Sequence, residues 1–156
     1  MRMVINSLPS LSKAIGTLRE SFTEHKYLTL TINTGKKRTV SQNSLSHQWY
    51  GQVADETKEY TAGEVKCLCK LNVGLPILRG IPEDERTEEV HKLCLFCDNF
   101  LDKMTYEARV AAMEYLPVTS LMSTAQLNDY LTGVQYNYSR RGVLLLFPDE
   151  WVKNGA

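Results

Sequence analysis

Residues Tyr27 to Ile32, YLTLTI, constrain this chain more than any other stretch. Aromatic and β-branched residues in period-two alternation describe a half-buried strand. Asn33-Thr34-Gly35 ends it with turn chemistry. A weaker alternation over Arg2 to Ser7 predicts a first strand. Between the two, Pro9 and Ser10 open a helix whose Leu11, Ile15, Leu18 and Phe22 share one face. The amino-terminal third thus reads strand, helix, strand, with the helix as a crossover between parallel neighbours.

Beyond Gly35 the pattern turns helical. One helix is expected from about Ser41 to Thr57, with Leu45, Trp49 and Val53 on a common face. Thr61-Ala-Gly-Glu64 is a capping box that opens a second, with Val65, Leu68 and Leu71 inward and an end near Asn72 to Gly74. Gly74 to Gly80, interrupted by Pro76, reads as a non-helical connector. The acidic run from Pro82 suits a helix start reaching about Leu101, with Val90, Leu93, Cys94 and Cys97 inward. Met104 to Tyr115 predicts another helix, closed by Pro117. Ser123-Thr-Ala-Gln126 is a second capping box, followed by Leu127, Tyr130, Leu131, Val134 and Tyr138 and stopped at Gly142. Val143 to Phe147 predicts a short strand and Pro148 to Ala156 a loosely held tail. The fold class that follows is α+β: a small sheet from the amino-terminal strand-helix-strand unit, packed with several helices. Residues 1–60 hold that unit, a basic loop and the first long helix; residues 61–156 form a mainly helical region of the same compact domain.

A length of 156 residues allows a real core. The longest apolar run, Val143 to Phe147, is too short to cross a bilayer, and Met1 to Ser10 lacks a signal-peptide core, so a cytoplasmic protein is expected. Net charge is zero, which excludes a uniformly basic protein, yet the charges are segregated. Residues 1–41 carry seven Lys/Arg against two Asp/Glu, or +5; residues 42–107 carry seven against twelve, or −5; the remainder holds four of each. Such segregation creates local fields that a neutral total conceals.

The positive segment culminates in Lys36-Lys37-Arg38, followed by the amides Gln42 and Asn43 and the aromatic pair Trp49 and Tyr50. Cations neutralise phosphates, amides hydrogen-bond and an indole can stack on a base. Trp49, sharing a face with Leu45 and Val53, is open to burial or to stacking. Lys66 and Lys70 share a helical face by their i, i+4 spacing, and Arg140 and Arg141 end the late helix. Two other chemistries compete. Cys67-Leu-Cys69 and Cys94-Leu-Phe-Cys97 offer four thiols for a structural zinc, but two cysteines two apart on a helix point about 200° away from each other. Buried free thiols are the simpler expectation, with no metal and no other cofactor. The carboxylates Glu83, Asp84, Glu85, Glu88 and Glu89 could serve a magnesium-dependent, structure-selective nuclease, although acidic residues at a helix start more commonly form a solvated face. No nucleophile elbow, phosphate loop or dinucleotide fingerprint is present, and a non-enzymatic protein is expected.

Arg38-Thr39-x-x-Gln42-Asn43, with Trp49 six residues after the asparagine, resembles the signature of the NinB/Orf family of phage and prophage recombination mediators. Leu75-Pro-Ile-Leu-Arg79 and Pro117-Val-Thr-Ser-Leu-Met-Ser123 are similar to segments of prophage members. The resemblance implies a homodimer in the bacterial host cytoplasm that binds DNA, single-stranded in preference. It further implies contact with single-stranded-DNA-binding protein and assistance in loading a RecA-type recombinase. Its DNA-binding positions carry over to Arg38, Gln42, Asn43, Trp49 and Lys66. The family pattern has a basic side chain near Leu121 to Ser123 that is missing here, a gap that Arg140 or Arg141 could fill. Some prophage relatives are described as base-flipping proteins, which leaves duplex DNA open as a ligand.

Overall fold

Helix signals that lie within a few consecutive residues carry through into the structure, whereas the expected strands do not. The computed structural model describes residues 1, 3–32 and 40–147, with the backbone alone at 40 and 41. It divides into two units, residues 1–37 and 38–156. In the first, α1 spans Leu8–His25, and its start is a capping box: the Ser7 hydroxyl accepts from the Ser10 N–H while the Ser10 hydroxyl bonds back to the Ser7 backbone. Ala14 is the one buried residue of α1, and Leu11, Ile15, Leu18 and Phe22 are exposed.

The second unit holds α2 (Val40–Thr57), α3 (Ala62–Cys69), α4 (Leu75–Arg79), α5 (Glu88–Asn99), α6 (Tyr106–Ala112) and α7 (Thr124–Ser139). Among the described residues there is no strand, so the described fold is all-α and the α+β expectation is overturned. The reason is that alternation measures only which faces are apolar; a strand exists by ladder pairing with another strand. Residues 27–32 form none.

Residues 143–147 show the same distinction with a substitute for the ladder. Val143 and Leu145 are buried while Leu144 and Leu146 are exposed, as strand periodicity requires. Their carbonyls, however, bond to side chains. Gln52 Nε2 donates to the Leu144 carbonyl (2.9 Å), Gln135 Nε2 to Leu145 (2.8 Å) and Trp49 Nε1 to Leu146 (3.3 Å). Residues of α2 and α7 thereby hold the segment that a neighbouring strand would otherwise hold.

The 74–80 connector is also corrected, because the chain stays helical there. A π-helical turn, Lys70–Gly74, joins α3 to α4, and the Leu75 N–H bonds to the Lys70 carbonyl five residues back. This widened turn lets the helix pass Pro76, which has no N–H of its own to bond four residues back. Gly74 sits where the turn meets the loop before α7: a Cβ there would lie 2.7 Å from Val118 Cγ1. Arg79 leaves the end of α4 to form a bidentate pair with Asp102 (2.9 and 2.7 Å) and a bond to Asp98 (2.6 Å). Both segments that resemble prophage sequences thus have packing work in this fold.

After α4 the acidic run makes only a 3-10 turn, Glu83–Glu85. Arg86 adopts extended backbone and donates to the Ile81 and Arg79 carbonyls, so the helix restarts at the N-cap Thr87. The inward sets expected for α5 and α7 are all buried. On α3 the expected set is corrected in part: Leu68 and Leu71 are half-buried, while Cys67 and Cys69 are buried because α2 and α6 both flank this helix. Among the described residues no helix is long and apolar enough to cross a membrane.

Candidate nucleic-acid interface

Lys36, Lys37 and Arg38 lie outside the described residues. The residues that follow them are described from α2 onward, and the structure separates their roles. Gln42 is buried (3 % exposed) and its amide donates to Asn128 Oδ1 (2.7 Å) and the Thr124 carbonyl (3.4 Å) at the start of α7. Its Oε1 atom has no hydrogen-bond partner among the described residues. Gln42 is therefore a tie between helices, while its neighbour Asn43 points to solvent.

Trp49 is corrected as a stacking platform. At 2 % exposure its ring belongs to the core, edge-on to Phe147 with centroids 4.9 Å apart. The face it shares with Leu45 and Val53 is the face that α2 buries. Tyr50, one residue on, is buried as well, and its hydroxyl meets the Tyr130 hydroxyl at 2.6 Å. Burial pushes both phenols well above their usual range.

Lys66 and Lys70 come together as their spacing predicted. They line a cavity of about 260 Å³ with His47, Tyr50, Ala62, Gly63, Cys67, Met113 and Glu114. Lys66 is half-buried, whereas Lys70 is only 6 % exposed and donates to the Met113 carbonyl at the end of α6. Burial lowers the Lys70 pKa below its ordinary value, and the neighbouring Lys66 charge adds to the effect. A buried ammonium ordinarily has a carboxylate partner. Among the described residues Lys70 forms no ion pair. Glu114, next to the Met113 whose carbonyl Lys70 meets, lies 3.8 Å from the Cys67 sulfur, and its charge partly offsets the lowering of Lys70. Sequence reasoning missed His47, Tyr50 and Glu114 as members of this site. His47 and Tyr50 are readable as an i, i+3 pair on α2, but Glu114 is 47 residues from Cys67 and has no local signal.

Arg140 and Arg141 do not line that cavity. Both are exposed just past α7. The Arg140 guanidinium lies 5.6 Å from the centre of the Tyr136 ring, and Arg141 lies at the same distance from Tyr138. Tyr136 is itself 60 % exposed. Neither arginine forms an ion pair among the described residues, in contrast to Arg79.

The rival chemistries find no assembled site. Cys67, Cys69, Cys94 and Cys97 are buried free thiols, and among the described residues no three His, Cys, Asp or Glu side chains converge on a point where a metal could sit. Glu83, Asp84, Glu85, Glu88 and Glu89 are exposed. No family model, curated protein or solved structure matches this chain, and the likeness to NinB/Orf proteins rests on the motif segments themselves.

Proposed function

We propose that this protein is a DNA-binding recombination mediator that prefers single strands, assists a RecA-type recombinase on strands coated by single-stranded-DNA-binding protein, acts as a homodimer and catalyses no reaction itself. The observation that carries the DNA-binding part is the Arg140–Tyr136 pair, with Arg141 beside it: exposed guanidinium groups free of ion pairs among the described residues, next to an exposed ring. Guanidinium takes phosphate and an exposed ring takes a base, which is the chemistry of single-strand recognition. Tyr136 replaces Trp49 as the stacking aromatic in this reading. The +5 amino-terminal segment and the resemblance at Arg38, Gln42 and Asn43 support the same ligand.

The test is a fluorescence titration with labelled single-stranded, duplex and flapped DNA at two salt concentrations. Single-strand affinity falls with a log–log slope of about −0.7 per neutralised phosphate. Replacing Lys36, Lys37 and Arg38 by alanine flattens that slope, and replacing Arg140 and Arg141 flattens it further. Unchanged affinity and slope in both variants would falsify the assignment, and magnesium-dependent cleavage of flapped DNA would replace it with the nuclease reading.

A further inference from the structure

We infer that the cavity between α2, α3 and the end of α6 is a pocket for a phosphate monoester, such as the phosphorylated end of a DNA strand, held between Lys66 and Lys70. The pocket itself stands on its geometry; only the strand end as source of the phosphate rests on the DNA-binding reading above.

Three observations carry it. Lys70 is buried to 6 % exposure, lines the cavity and, among the described residues, has one acceptor, the Met113 carbonyl, for three ammonium protons. Lys66 lines the same space one helical turn earlier, so two positive charges stand together with no ion pair among the described residues. The first turn of α3, Ala62 and Gly63, forms another part of the wall, and a helix start favours an anion, although here the Thr61–Glu64 capping box already brings one carboxylate to that end. Of the lining residues Glu114 alone is a carboxylate.

The size of the space limits what it takes. At about 260 Å³ the space is below the roughly 300–1,000 Å³ of sites that enclose whole small molecules. It suits a phosphoryl group with its ester link, leaving the rest of the ligand outside. A monoester carries about −1.5 to −2 charges at neutral pH, as a phosphorylated side chain does. Two lysines against Glu114 leave a net charge of about +1, so the monoester is favoured by shape: an enclosed space admits a terminal phosphoryl group more readily than a bridging diester. The Glu114 carboxylate opposes the anion and weakens binding without preventing it.

Opposite-signed variants make the test. Both Lys66 and Glu114 reach the surface, so Lys66→Ala and Glu114→Gln leave the core untouched. Calorimetric titration of the full chain with inorganic phosphate, at ionic strength held constant with chloride, yields saturable binding. Lys66→Ala weakens it about tenfold or more, as loss of one charge-assisted bond does, and Glu114→Gln tightens it. A second arm compares 5′-phosphorylated, 3′-phosphorylated and unphosphorylated single strands. Tighter binding of one phosphorylated end, abolished by Lys66→Ala, identifies a strand end as the ligand. Phosphate binding with no gain from either end supports the pocket and assigns it to a free monoester. Absence of phosphate binding together with no end effect overturns the pocket, even where DNA still binds. A shift of the same sign in both variants overturns it as well. Intact phosphate binding with no DNA binding overturns only the proposed function.

Discussion

Replacing Trp49 by leucine separates an indole that holds the core from one that stacks on a base. The ring is 2 % exposed, donates to the Leu146 carbonyl at 3.3 Å and meets the Phe147 ring edge-on at 4.9 Å. Leucine keeps apolar contact but loses the hydrogen bond, about 1 kcal/mol, and the aromatic edge contact, about 1 kcal/mol. The smaller side chain also leaves a void worth about 1 kcal/mol more. The expected loss is about 3 kcal/mol, which lowers the melting temperature by roughly 6–12 °C for a chain of this size. Urea denaturation followed by far-UV circular dichroism measures it, with the midpoint falling and the slope kept. Single-strand affinity, measured well below the variant's melting temperature, stays within twofold of the parent. If Trp49 stacked on a base, stability would be nearly unchanged and affinity would fall roughly five- to 150-fold. That pair of results would refute the core assignment and, with it, the account of how residues 143–147 are held.

Two further outcomes follow from packing and burial. Gly74→Ala gains about 1 kcal/mol of helix propensity but drives a Cβ to 2.7 Å from Val118 Cγ1, a stiff branched side chain, so a net loss of about 1–2 kcal/mol is expected. Gly51→Ala in α2, where a Cβ meets nothing within 4 Å, instead stabilises by about 0.5–1 kcal/mol; equal signs in denaturation would contradict the packing at Gly74. Stability also falls above pH 9. Burial pushes the thiols of Cys69 and Cys97 up from 9.0 to about 12 and about 11, so between those values the unfolded chain releases protons that the native state keeps. Each contributes about 1.4 kcal/mol of loss per pH unit. The lowered Lys70 works in the opposite direction up to its ordinary value of 10.5, offsetting at most one of the two. Denaturation curves that do not change between pH 8 and 10.5 would contradict the burial of these thiols.

Much of the helical layout can be read from short stretches. Thr61 with Glu64, and Ser123 with Gln126, form the capping boxes that their spacing describes, because both partners of each bond lie within one turn. Val90, Leu93, Cys94 and Cys97 face inward for the same reason: helical periodicity is a property of the segment itself. Pro76 misleads because its tolerance depends on a π-turn whose glycine must fit against Val118, 44 residues onward. Of the candidate site, the pairing of Lys66 with Lys70 is legible and their surroundings are not. Gln42 and Trp49 carry the chemistry of a nucleic-acid contact and are used inside the protein, a choice made by what packs over them.

What the chain of residues determined alone is therefore helix position, helix caps, inward faces and the segregation of charge, all set by neighbours within a few residues. Tertiary structure decided that the alternating segments 27–32 and 143–147 form no strand, since a backbone ladder needs a distant partner and residues 143–147 found side-chain donors instead. It also decided that Lys70 is enclosed in a cavity that Glu114 helps to line. Enclosure depends on α6 closing over α3, and a charge acquires its energetic meaning only from the medium in which folding leaves it.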